Sequence, residues 1–549
     1  MAISSSLPST FSPSSFCFTR SEPARFVNFL SAGGFRSGLN RRPLSLLTVS
    51  SRLNSSKPSG TNGSISPDNG DLQYELQHGF PSQRGKGLPV FVTLPIDASN
   101  MMRNIRKWKL MIHSLKALAI AGVEGVVMEV WWGLVEKDSP MVYDWKGYLE
   151  IVSMARRCGL KVRAVMAFHQ CGKKSGDSCW IPLPDWVHEE MDKDPNLAYT
   201  DRFGRRNQEY ISLGCDNLPV LKGRSPIQAY SDFMRNFRDT FREFLGVIIT
   251  GIQVGMGPAG ELRYPSCSSQ KLRIHDLGEF QCYDKYMLAS LNACAQEIEM
   301  SEWGYGGPVG TGNLMHDPEQ TEFFRSDGFW NTPYGRFFLE WYSEMLLLHG
   351  ERLCSAADTI FRGTGIHISA KVAGIYWHDG APSHPSELTA GYYNTLIRDG
   401  YLPIARMFGR YGVTLCCTNF EMQDAKDTRL KLISSLEGFF RQLLLAARKC
   451  DIHVEGENLG AILDDESLQR VLKMSKFYSD GLNKSSFSFN FMRMNQNLFE
   501  HRNWVRFTRF VRQMTNIGNF QAKLDIEGGD ICLLSTSVAV EVGAAFAYY

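Results

Sequence analysis

The stretch VIITGIQV, Val247 to Val254, is followed after Gly255 and Met256 by GPAGELRYPS, Gly257 to Ser266. The first run is apolar enough for a buried strand, and the second places a carboxylate, Glu261, just past the strand's end. Glycines at 257 and 260 let the backbone approach a bound molecule closely. A Gly-rich turn with a structural Glu261/Arg263 pair is the plainer alternative, so the rest of the chain has to decide between them.

Similar apolar runs recur at Val90 to Leu94, Gly125 to Val130, Val162 to Ala167, Ile368 to Ile375, Val413 to Cys417, Ile452 to Val454 and Phe487 to Phe491. The intervals are mostly long enough for helices. From Arg103 to Ala121, Ile105, Trp108, Ile112, Leu115 and Leu118 recur at helical spacing before Gly122. About eight strands alternating with helices predict an α/β fold of the (β/α)8 TIM barrel type, with long loops and the chemistry at the C-terminal strand ends. An open doubly wound sheet is the alternative, but no Gly-rich dinucleotide fingerprint accompanies these strands.

The 549 residues exceed one average domain yet suit a single large barrel with terminal extensions. A net charge of +2 offers no basic field for nucleic acid and suits a neutral substrate. Thirteen cysteines without CxxC or zinc spacing read as mostly reduced thiols. Residues 1–57 are rich in Ser and Arg with Glu22 the single acid, which predicts a plastid transit peptide and a stromal location. Residues 58–87 read as a disordered linker, 88–514 as the barrel, and 515–549 as a tail without an assigned role. The apolar stretch 531–549 is interrupted by Glu541 and is not read as a membrane anchor.

Polar groups gather at the predicted strand ends. His169 and Asp177 follow the third strand, Glu261 the fourth, Lys371 and Tyr376 surround the fifth, Thr418 follows the sixth, Glu457 and Asn458 the seventh, and Arg493 the eighth. Two glutamates in such a ring point to glycoside hydrolysis, in which one carboxyl protonates the departing oxygen and the other acts from the opposite face of the sugar.

The motifs GVEGVVMEVWWGLVEKDSP, DRFGRRNQEYISLG, GPAGELRYPS, GEFQCYDKYM, ELTAGYYNT, FEMQD, GEN and MRMN occur in one order between Leu88 and Met514. In this the chain resembles the plant β-amylases. The resemblance implies a barrel enzyme that removes maltose from the non-reducing ends of α-1,4-glucans by inversion. Glu261 then matches the general acid and Glu457 the general base. Glu129, His169, Asp177, Lys371, Tyr376, Thr418, Asn458 and Arg493 fall on positions that bind substrate or orient these groups. No metal, organic cofactor, nucleic acid or membrane is implied, and the partner is starch or a maltodextrin. A cation at Lys371 close to Glu457 would favour the ionised base.

Several positions depart from the family pattern. Glu129 stands where Asp is usual; its extra methylene moves a carboxylate by roughly 1 Å, and a shift of that size can cost about 100-fold in rate. The lid segment Gly172 to Asp177 reads GKKSGD instead of GGNVGD, and lid closure is what excludes water. Tyr376 replaces His, Cys416-Cys417 replace Asn-Phe, Asn419 replaces Cys, Leu459-Gly460 replace Ala-Leu, and Cys267 replaces Tyr. These changes predict an intact fold with reduced turnover; the rival reading is a non-catalytic glucan-binding or regulatory homologue. A β-amylase-like transcription regulator would need a basic extension, and residues 1–57 hold just Arg41-Arg42 as an adjacent basic pair. Cys171 and Cys179 bracket the lid and are expected to be free thiols, since a disulfide requires the loop to fold back on itself.

Overall fold

The computed structural model describes residues 87–101, 105–172, 179–266, 277–313, 316–374, 381–421, 435–460, 462–479 and 487–516. Eight parallel strands close into a barrel: β1 (Val90–Thr93), β2 (Gly125–Trp131), β3 (Lys161–Ala167), β6 (Ile249–Val254), β7 (His367–Val372), β8 (Thr414–Cys417), β9 (Val454–Glu457) and β10 (Phe487–Phe491). Closure is made by β1, which pairs with β2 on one side and β10 on the other. The expected (β/α)8 barrel is therefore the fold. Between β3 and β6 lies an antiparallel hairpin, β4 (Ala198–Thr200) and β5 (Arg206–Ile211), which the sequence reading did not anticipate.

The outer helices are α1 (Ile105–Ala121), α2 (Lys146–Arg157), α3 (Pro226–Thr240), α4 (Pro333–Phe361), α5 (Tyr401–Arg410), α6 (Leu436–Lys449), α7 (Asp465–Ser479) and α8 (His501–Thr515). Their starts are written locally. Ser225 caps α3 in a reciprocal box with Gln228, Thr332 caps α4, and Ser435 caps α6; each side chain accepts a backbone N–H that the first turn leaves unpaired.

β10 shows how a strand is read on two faces. Phe487, Phe489 and Phe491 point outward and pack edge-on or tilted against Phe420, Phe510 and Phe507. Ser488 and Asn490 point into the barrel and accept from the Arg163 guanidinium at 3.0 Å each. Arg163 also meets Glu455 of β9 at 3.2 Å and lies 3.7 Å over the ring of Phe91. Gly251 of β6 leaves room for this arginine, since a Cβ there would sit 3.2 Å from the Arg163 Cγ. This polar layer plugs the barrel below the site.

Two sequence boundaries are corrected. Val247 precedes β6 and is exposed, and β9 begins at Val454 rather than Ile452. Glu457 is accordingly the last residue of a strand instead of a loop residue. A strand holds its carboxylate more rigidly than a loop would, because ladder bonds to β10 fix the backbone at Asn490.

Candidate active site

At the C-terminal end of the barrel, Glu457 is buried and receives a hydrogen bond from Lys371 Nζ at 2.6 Å on its Oε1. The Cys416 thiol of β8 lies 3.9 Å from the other oxygen. Burial pushes the Glu457 carboxyl above the ordinary glutamate range; Lys371 opposes this, while Glu129 and Glu261 add to it. The Lys371 ammonium is held charged by Glu457 despite its own burial. The expected cation beside Glu457 is thus present, and it offsets part of the desolvation without reversing it.

Glu261 extends the line of β6 and sits beside Lys371 as a parallel bridge, with Leu262 N donating to Lys371 O at 2.9 Å. Arg263 Nε donates to Glu261 Oε2 at 2.6 Å, so the Glu/Arg pair weighed as a structural alternative does form. It forms inside the site. Ala259 and Gly260 both have positive φ, a tight turn in which Ala259 N donates to Glu209 Oε1 at 2.9 Å. Gly260 faces His169, whose Cε1 would lie 3.5 Å from any added Cβ.

His169 packs edge-on against Trp131, with ring centroids 5.1 Å apart. Burial, together with the cations Lys371 and Arg263, drives its pKa down to about 3, so the ring is neutral. Among the described residues its Nδ1 has no hydrogen-bond partner. Opposite, Arg493 grips Glu129 through two bonds of 2.9 and 3.0 Å and donates to Leu94 O at 3.1 Å. Thr418 is buried at the end of β8.

Asn458 is committed to backbone: its Nδ2 donates to Gly460 O at 2.6 Å and Met492 O at 2.5 Å, and its Oδ1 accepts from Met492 N at 2.8 Å. It ties the end of β9 to the end of β10. Two carboxylates, one of them raised in pKa, both adjoin Lys371 at the same end of the barrel, Glu457 through its side chain and Glu261 through its backbone, an arrangement suited to acid–base chemistry.

A family model for glycosyl hydrolase family 14 matches residues 91–519. The chain belongs to glycosyl hydrolase family 14. Within the family it is 51% identical over 443 residues to "Beta-amylase 1, chloroplastic" of Arabidopsis thaliana, covering 79% of this chain and 77% of that one. It is 49% identical over 451 residues to "Beta-amylase 2, chloroplastic" of Oryza sativa subsp. japonica, covering 81% and 80%. The catalytic domain of the beta-amylase from Paenibacillus polymyxa superposes with a TM-score of 0.63 at 24% identity, over 78% of this chain and 99% of that one, which supports the barrel fold. This family 14 chain is a β-amylase-type enzyme.

Of the ten residues read from the sequence, Glu129, His169, Glu261, Lys371, Thr418, Glu457, Asn458 and Arg493 lie at the C-terminal end of the barrel. Asp177 and Tyr376 lie outside the described residues, as do the replaced lid positions Lys173 and Ser175 and the altered Cys267. Glu421, within the FEMQD motif, is a further functional residue of the site. The Glu421 carboxylate accepts from Leu459 N at 2.9 Å and Gly460 N at 3.1 Å and so fixes the turn after Glu457 and Asn458. A lone glutamate after Phe420 gave no periodic signal by which to find it. Leu459, where the family has alanine, is half exposed at this turn.

Proposed function

We propose that this family 14 enzyme releases maltose from the non-reducing ends of α-1,4-glucans by inversion, with Glu261 as general acid and Glu457 as general base. The observation that carries the reading is the Lys371 contact at 2.6 Å to Glu457, made from the residue that also bridges the Glu261 strand extension. Glu457 takes a proton from the attacking water, and its raised pKa makes it a stronger base than an exposed glutamate. Glu261 delivers a proton to the departing glycosidic oxygen. Neutral His169, whose Nδ1 has no partner among the described residues, binds a sugar hydroxyl without adding charge. Asp177, Tyr376, Thr418 and Arg493 complete the sugar contacts, and Asn458 acts on the loop ends.

Turnover is reduced relative to an efficient family member. Glu129 is held bidentate by Arg493, which leaves its carboxylate less available to a sugar hydroxyl. That same observation favours a second reading, a glucan-binding homologue with little hydrolysis. The neutral glucan is the partner we assign, and the plastid stroma the location, in keeping with relatives named chloroplastic and with the composition of residues 1–57. Residues 58–87 act as a linker, 88–514 as the catalytic barrel, and 515–549 as an appended tail.

Soluble starch is the test substrate, with polarimetry or NMR reading the anomer released first. The expected outcome is slow release of β-maltose, lowered at least about 100-fold in both Glu261→Gln and Glu457→Gln. Release of the α-anomer would sink the inverting assignment. Glucan binding without maltose release would select the second reading.

A further inference from the structure

After β3, the chain at Cys171 and the chain at Ile181 pair beside the site. Cys171 N donates to Ile181 O at 2.8 Å, and Ile181 N donates to Cys171 O at 2.9 Å, a closed antiparallel pair. This brings the Cys171 and Cys179 sulfurs to 2.8 Å, well inside ordinary non-bonded contact of two sulfurs. Both are free thiols of intermediate burial. The condition that sequence separation alone left unmet, a loop folding back, is met by the backbone.

Both cysteines pack against a small cluster of Trp131, Ala167 and Ile181. Trp131 is the ring on which His169 rests. Cys171 is also two residues from His169, and the intervening Gln170 N donates to Glu209 O at 2.8 Å while Glu209 Oε1 holds the Ala259 amide of the Glu261 turn. A movement at Cys171 therefore has a covalent route to His169 and a hydrogen-bonded route to the acid turn.

We propose that Cys171 and Cys179 form a thiol–disulfide pair at the rim of the glucan site, oxidised by an external disulfide. Cys179 attacks one sulfur of the external disulfide, forming a mixed disulfide and releasing one thiol. Cys171 then displaces the second thiol and the Cys171–Cys179 bond closes. Two protein thiols are oxidised, one external disulfide is reduced to two thiols, and the two protein protons leave with them. Burial and the neighbouring sulfur hold Cys171 protonated, which gives it the resolving role. Forming the bond draws the sulfurs from 2.8 Å to about 2.0 Å and moves the wall that carries Trp131 and His169. The effect on sugar binding rests on the glucan-site reading above; the disulfide itself does not.

The experiment equilibrates the full chain in glutathione buffers from fully reduced to strongly oxidised, then alkylates and maps the peptides by mass. The expected result is a peptide pair cross-linked between Cys171 and Cys179, absent from Cys171→Ser and Cys179→Ser. Alongside it, the maltodextrin Kd rises at least threefold on oxidation of the native chain and does not change on oxidation of Cys171→Ser. Alkylation of both thiols in the most oxidising buffer, or recovery of Cys179 solely as a glutathione adduct, overturns the pair. A cross-link without a change in Kd overturns its coupling to the site. A reduced chain that binds no maltodextrin overturns the glucan reading, while the peptide map still decides the disulfide.

Discussion

The Lys371–Glu457 contact sets the protonation chemistry of the site. Removing a carboxylate from water raises its pKa, and an adjacent cation lowers it. At Glu457 burial wins, with Lys371 limiting the rise. Lys371→Met removes that limit, so the carboxyl is protonated at higher pH and less base is available below neutrality. The acidic limb of kcat/KM against pH should move to higher pH than in the native enzyme. An unmoved limb in an active variant would remove Lys371 from this role. Cys416 offers the other oxygen a weak donor at 3.9 Å and does little to counter burial.

The acid turn after β6 depends on α4. His349, buried on that helix, places Nδ1 2.9 Å from Asp216 and Nε2 3.1 Å from the Met256 carbonyl oxygen, just ahead of Gly257. Arg352, one turn further along, donates to the same aspartate at 2.8 Å. The helix thus holds the start of the turn that carries Glu261. In His349→Leu the Met256 carbonyl loses its partner, and kcat should fall about tenfold with KM changed much less, because a small displacement of a proton donor acts on the chemical step. Steady-state kinetics on maltodextrin measure the split. This support was not legible in the sequence: His349 lies 93 positions from Met256 in the chain, and no local pattern joins them.

Over the whole molecule, the pH dependence of stability carries the mark of a neutral histidine at the rim of the barrel, just past the end of β3. His169 has a pKa of about 3 in the fold against an ordinary 6.5, so its folded value is depressed. The stability it contributes is complete above pH 6.5 and is lost as pH falls toward 3, at up to about 1.4 kcal/mol per pH unit. Denaturant melts between pH 7 and pH 4 should show this loss, and His169→Gln should flatten the profile. A slope unchanged by His169→Gln would exclude the buried imidazole as its source. The chain closes on itself as well: Leu88 N donates to Met514 O at 2.8 Å, joining the first strand's lead-in to the last helix.

Alternation of apolar runs with helical spacing determined the barrel, because the sheet's two faces and each helix's buried stripe impose periods that survive in one dimension. Motif order determined the family and placed Glu261 and Glu457 at strand ends. Tertiary structure alone decided that Lys371 touches Glu457, that Arg493 occupies Glu129, that Asn458 serves backbone, and that Cys171 meets Cys179. These are contacts of a few ångströms between residues mostly far apart in the chain. Sequence periodicity reports which face a residue lies on; charge pairing and thiol proximity depend on how closed strands and returning loops converge.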